Sequence, residues 1–162
     1  MNVVKPDRES LLTCLRVERW ADALAGHPFD TMLGLERSAV AAATPLTEAE
    51  VDEALAGHPR IGEATSTDAA EAAFSATEQA DSASDDPELA RRLAEGNVAY
   101  EERYGRVFLI SAKGRTRQEI VTELERRLEN GPAAEIAEVA NQLRGIALLR
   151  LRVLYAEGFA VA

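Results

Sequence analysis

Apolar residues along the chain recur at the three- and four-residue steps of a helix, and a period of two never persists over six residues. Proline, glycine and short polar turns cut this pattern into segments. Asp7 stands as an N-cap before a first helix over Arg8–Leu15, with Leu11, Leu12 and Leu15 on one face. A short second helix is expected over Arg19–Leu24, stopped by Gly26 and Pro28, and a third from Thr31 to Ala43, ending before Pro45. In Thr47-Glu48-Ala49-Glu50 the hydroxyl and the second carboxylate are spaced to satisfy orphan N–H groups of a first helical turn. This capping box opens a helix from Glu48 to about Ala56, ended by Gly57.

Further along, the small and polar stretch Gly62–Asp68 reads as a loop and the alanine-rich stretch Ala69–Ala80 as a helix. Asp81–Asp86 forms a turn whose last residue caps a long helix with Pro87 at its first position, running to Tyr104 and stopped by Gly105. Val107-Phe108-Leu109-Ile110 is too short for periodicity to assign: it is either an extended buried segment or part of a bent helix. Thr116-Arg117-Gln118-Glu119 is a second capping box, opening a helix that closes at Asn130-Gly131-Pro132. The last helix runs from about Ala133 to Ala156, with Ile136, Val139, Leu143, Ile146 and Leu154 near the helical period. Together these elements predict an all-α fold, a single-domain bundle of about eight helices covering residues 1–162.

Composition narrows the class. With 162 residues, 46% of them apolar and 28% charged, the chain is long enough for one domain with a core. Lys+Arg at 18 against Asp+Glu at 28 give a net charge of −10, which repels phosphate backbones and anionic membranes, so neither nucleic acid nor membrane is expected as a partner. Lys5 and Lys113 are the two lysines, and Schiff-base chemistry would need one of them buried and neutral. Cys14 stands alone, which excludes an intrachain disulfide and a thiolate metal cluster and fits a reducing cytoplasm. No stretch approaches the roughly 18 to 20 apolar residues that cross a bilayer, and no apolar run follows a basic start. The expectation is a soluble, cytoplasmic protein.

Familiar catalytic signatures are missing. There is no Gly-x-Ser-x-Gly elbow, phosphate-binding loop, dinucleotide fingerprint or His-Glu-x-x-His. His27 and His58, far apart and each followed by proline, lack the short spacings usual for metal-ligating histidines, so no metal is expected. What remains is His58-Pro59-Arg60-Ile61-Gly62, where proline fixes φ on one side of a histidine that follows a helix stop. Such a histidine is either a functional group or a helix C-cap favoured by the dipole. Ser75 and Glu78 share a face at i, i+3 within Ser75-Ala76-Thr77-Glu78-Gln79, ordinarily a solvated arrangement. Asn97, Tyr100, Arg103 and Tyr104 step along one side of the long helix, which reads equally as a polar face beside a core edge. Lys113-Gly114-Arg115 reads as a turn whose backbone can face a ligand. Arg150 and Arg152 point about 200° apart on a helix, so one of them is expected to be partly buried and in need of an anionic partner.

In their order and spacing these pieces resemble one family. Arg19-Trp20, His58-Pro59-Arg60-Ile61-Gly62, Ser75-x-x-Glu78-Gln79, Asn97-x-x-Tyr100-x-x-Arg103-Tyr104-Gly105 with Val107–Ile110, and Leu149-Arg150-Leu151 are similar to the 2-oxo-4-hydroxy-4-carboxy-5-ureidoimidazoline (OHCU) decarboxylases of urate breakdown. The resemblance implies an all-helical, cofactor-free homodimer that converts OHCU, a small anionic substrate, to (S)-allantoin and CO2. It implies further that His58 is the catalytic histidine, that Glu78 and Gln79, with Ser75, contact the substrate or orient His58, and that Pro59 lines the site. The backbone of Ile110, Ser111, Ala112, Lys113 and Gly114 borders the substrate ring, and Arg150 binds the anion. Tyr104 departs from the family pattern, standing where phenylalanine is common, and Lys113 occupies a variable position. A neutral imidazole, with a reference pKa of about 6.5, gains positive character beside a carboxylate, which is the service expected of Glu78. Two other classes fit the residues alone: a non-enzymatic helical module that binds a partner, and a lyase or hydrolase acting on a related ureido or imidazolone compound.

Overall fold

The helix starts foreseen from side-chain chemistry are made by those side chains. A computed structural model describes residues 2–58, 61, 78, 80 and 83–160. Among them are seven helices: α1 (Arg8–Cys14), α2 (Glu18–Leu24), α3 (Met32–Ala42), α4 (Glu48–Leu55), α5 (Pro87–Tyr104), α6 (Arg117–Arg127) and α7 (Pro132–Phe159). Asp7 accepts the Ser10 N–H to open α1, Thr31 caps α3, and Asp86 accepts from Glu88 ahead of Pro87 in α5. Both capping boxes are complete, Thr47 with Glu50 at α4 and Thr116 with Glu119 at α6. Gly105 ends α5 at φ +70, a left-handed value that a side chain resists.

The all-α expectation holds: among the described residues there is no named strand, only a single bridge between Val4 and Phe29. The helix expected over 69–80 lies outside the described residues except for Glu78, which is helical, and Ala80. No helix among the described residues is long and apolar enough to cross a membrane.

The chain divides into two compact units, residues 1–56 with 143–162, and residues 57–142. In the first, Leu11, Trp20, Leu35, Val51 and Leu151 are fully buried. The Trp20 indole N–H donates to the Ala39 carbonyl at 2.9 Å, so α2 is pinned to α3 by the one polar atom of its largest core side chain. Next to it, Arg19 donates to Glu50 Oε2 at 2.7 Å and to the Ala42 carbonyl at 3.1 Å, joining α2 to the capping box of α4. The Arg19-Trp20 pair therefore works for the fold.

In the second unit α5 packs on α6. Gly96 permits the close approach, since a Cβ there would lie 2.5 Å from the Cδ2 atom of fully buried Leu124. Tyr100, Phe108, Ile110, Ala112, Ile120 and Leu124 share one core cluster. The ambiguous run from Val107 is neither helix nor strand. Phe108, Ile110 and Ala112 enter the cluster while Leu109 and Ser111 stay out of it, the two-residue alternation of an extended chain.

Candidate active site

An extended segment with no neighbouring strand must find partners for its peptide groups elsewhere. In such a chain the N–H and C=O of one residue share an edge with those two residues on, and here that edge is filled by side chains. The Leu109 carbonyl accepts from Arg127 Nη1 at 2.5 Å, the Ser111 N–H donates to Gln142 Oε1 at 2.8 Å, and the Ser111 carbonyl accepts from Arg115 Nε at 3.1 Å. The Ala112 carbonyl then receives the Arg115 N–H at 3.0 Å, closing a turn with Gly114 at φ +77, the left-handed value glycine supplies in third position. The other edge differs: among the described residues, no group bonds the N–H or the carbonyl of Ile110.

Behind this segment lies an ion pair absent from the sequence reading. Arg127, at the last turn of α6, and Glu135, at the first turn of α7, are both buried. Glu135 Oε1 accepts from Arg127 Nε at 2.8 Å, from Arg127 Nη2 and from the Tyr100 hydroxyl, while Oε2 accepts from Asn130 Nδ2 at 3.0 Å. The guanidinium lies 4.8 Å from the centre of the Phe108 ring. Burial, reinforced by the bond to Glu135, raises the Tyr100 pKa well above the ordinary tyrosine value and keeps the phenol protonated.

The Asn97-Tyr100-Arg103-Tyr104 face joins the same frame. Asn97 Nδ2 donates to the Ile61 carbonyl at 3.4 Å and Arg103 Nη2 to the Asn130 carbonyl at 3.1 Å. The Tyr104 hydroxyl lies 2.6 Å from the Asn130 carbonyl and 2.8 Å from that of Arg127. Arg103 and Tyr104 tie α5 to the carbonyl end of α6, Tyr100 ties it to Glu135 and Asn97 to Ile61, structural duties the sequence left undecided.

Of the residues singled out for chemistry, His58 is half-buried just beyond the Gly57 turn that follows α4, and Glu78 is half-buried in helical conformation; both are engaged with other groups. Pro59, Ser75 and Gln79 lie outside the described residues. Ile110 and Ala112 are buried, Ser111 is half-buried, and Lys113 and Gly114 are exposed. Arg150 is 1% exposed, with Nη1 donating to the Thr13 carbonyl at the end of α1 at 2.8 Å. Arg152 turns the other way, exposed and paired with Glu36, as the angular step between the two requires. His58, Glu78 and residues 110–114 belong to the second unit and Arg150 to the first. Lys5 and Lys113 are both exposed, which removes the condition for a neutral Schiff-base lysine. His27 is exposed too.

Arg127, Glu135 and Gln142 are the residues that sequence reasoning missed. Their signal was positional: Arg127 falls in register with Ile120 and Leu124, and Glu135 with Val139 and Ile146, so each interrupts an apolar stripe.

A family model described as OHCU decarboxylase matches residues 7–152, a span that takes in His58, Glu78, the 110–114 segment and Arg150. The chain belongs to the OHCU decarboxylase family. Among curated relatives of this OHCU decarboxylase family member, the uric acid degradation bifunctional protein TTL of Arabidopsis thaliana is 34% identical over 108 residues, which are 65% of this chain and 33% of that protein. The uric acid degradation bifunctional protein of Bacillus sp. (strain TB-90) is 29% identical over 62 residues, 38% of this chain and 12% of that protein. The chain thus matches a third or less of the length of each of these relatives. A crystal structure of OHCU decarboxylase in the presence of (S)-allantoin superposes with a TM-score of 0.77 at 26% identity, over 93% of this chain and 99% of that one. A crystal structure of (S)-allantoin synthase shares the fold, with a TM-score of 0.64 at 18% identity over 90% of this chain and 48% of that one.

Proposed function

We propose that this chain is a cofactor-independent carboxy-lyase that converts OHCU to (S)-allantoin and CO2 in urate degradation. The observation that carries this reading is the family match over 7–152, which spans every residue proposed for the site. The likeness to an OHCU decarboxylase crystallised in the presence of (S)-allantoin, over nearly the whole of both chains, supports it.

The chemistry suits the residue types. When the carboxylate leaves as CO2, its bonding pair forms a C=C bond to the ureido-bearing carbon while the C=N pair moves onto the ring nitrogen, which takes up a proton, so the ring is its own electron sink. The hydroxyl proton is then lost and a proton is delivered to the ureido-bearing carbon, which becomes the stereocentre. The protein must anchor an anion, move protons and protonate one face only. Arg150 supplies the anchor, His58 moves the protons as general acid/base, and Glu78 orients the imidazole and favours its charged form. The family resemblance adds Pro59, Ser75 and Gln79 as residues proposed to contact the substrate. The open peptide edge of Ile110, offering one donor and one acceptor, suits the alternating N–H and C=O groups of a ureide ring, and Ser111 to Gly114 extend that border. Against the −10 of the whole chain, Arg150, Lys113 and Arg60 are the cations proposed to attract the anionic substrate.

The active form is a cytoplasmic homodimer; exposed Leu33, Val40, Val153 and Leu154 are apolar surface a second copy would cover. Consumption of freshly generated OHCU, compared between wild type and His58→Ala, tests the catalytic assignment. General acid/base catalysis is worth roughly 10²- to 10⁴-fold, so the variant loses at least about 100-fold in kcat/KM. Near-normal turnover by His58→Ala contradicts the role given to the imidazole.

A further inference from the structure

The two edges of the 107–112 segment are treated differently. On one, three side chains take the place of a partner strand: Arg127 at the Leu109 carbonyl, Gln142 at the Ser111 N–H and Arg115 at the Ser111 carbonyl. On the other, Ile110 presents a peptide group with no partner among the described residues. Of the three, Arg127 is locked in a buried ion pair and Arg115 also makes the 112–115 turn through its own N–H, so both serve local folding whatever the site does. Gln142 differs. It is half-buried on α7, and its carboxamide oxygen accepts the backbone N–H of Ser111, 31 residues away in sequence. An amide oxygen fixed by one N–H sets the rotation of the Ile110–Ser111 peptide plane, because that N–H and the Ile110 carbonyl belong to the same rigid unit. The tilt of the Ile110 carbonyl toward anything bound on the open edge is therefore set from behind by Gln142.

We propose that Gln142 is a positioning residue for the decarboxylation, holding the Ile110–Ser111 peptide in the orientation that receives the substrate ring. This inference rests on the function proposed above and adds to it a residue that touches no reacting atom. A misplacement of about 1 Å in a binding group costs up to roughly 100-fold in rate. Loss of the Gln142 acceptor therefore acts on turnover and on which face is protonated, more than on stability.

The test compares wild type, Gln142→Leu and Gln142→Glu, measuring kcat and KM for freshly generated OHCU, the enantiomeric excess of the allantoin formed, and the thermal unfolding midpoint. Leucine keeps the volume and removes the acceptor; glutamate keeps an acceptor oxygen. The expected result is a fall of about 10- to 100-fold in kcat/KM for Gln142→Leu, with a lower excess of the S enantiomer. Its unfolding midpoint stays close to wild type, and Gln142→Glu recovers most of the loss in kcat. An active wild type with Gln142→Leu unchanged in rate and enantiomeric excess overturns this inference alone. So does a loss that tracks unfolding and is not rescued by glutamate. A wild type that leaves OHCU decay at its spontaneous rate overturns this inference together with the proposed function.

Discussion

Arg127 and Glu135 form an ion pair whose side chains are 1% and 3% exposed, joining the last turn of α6 to the first turn of α7. Two charges withdrawn from water are tolerable only when their hydrogen-bonding capacity is filled, and here Tyr100, Asn130 and the Leu109 carbonyl fill it. The pair thus joins α6 to α7 and, through the Leu109 carbonyl, holds the 107–112 segment.

Removing either member alone leaves the other buried and uncompensated. Arg127→Met and Glu135→Leu should each lose about 3–5 kcal/mol of stability. The double variant should lose less than the sum of the two, because neither charge is then stranded. Urea unfolding of the four proteins checks this, and additive losses contradict the pairing.

The Tyr104 hydroxyl donates at the carbonyl end of α6, within reach of the Arg127 and Asn130 carbonyls. Tyr104→Phe should cost on the order of 1 kcal/mol and leave kcat and KM for OHCU unchanged. A change in kcat larger than about twofold, which corresponds to well under 1 kcal/mol of barrier, places the hydroxyl in the catalytic machinery instead.

Asp7 accepts the backbone N–H of Ser10, and this bond holds its carboxyl below the ordinary aspartate value. A depressed pKa in the folded state means that the contribution of the charge is fully present above the unfolded value of about 3.9 and is lost as pH falls through the lower folded value. Asp7→Asn keeps an acceptor at the cap without the charge. The stability advantage of wild type over Asp7→Asn should therefore shrink between pH 5 and the acid limit of folding, measured by unfolding at several pH values; a constant difference contradicts it.

The legible parts of the fold were those with local causes. Asp7, Thr47, Asp86 and Thr116 announce their helices because a cap is made between residues two or three apart, and each makes the bond expected of it. Val107–Ile110 resisted assignment because four residues cannot distinguish periods, and the partner of its Leu109 carbonyl is the side chain of Arg127, distant in sequence. Arg127 and Glu135 were hidden for another reason. An arginine in a last helical turn and a glutamate in a first turn are each favoured by the helix dipole, so both read as ordinary surface charges unless their place on the apolar stripe is noticed. For the site, resemblance supplies His58 and Glu78 as proposals, whereas the frame that shapes the 109–112 backbone came only with the tertiary structure.

The central claim is that this chain directs OHCU to a single enantiomer. OHCU generated from urate by urate oxidase and 5-hydroxyisourate hydrolase, with this protein added, should give optically active (S)-allantoin faster than the spontaneous reaction, followed by circular dichroism. Racemic allantoin formed at the uncatalysed rate, from folded protein, contradicts the account.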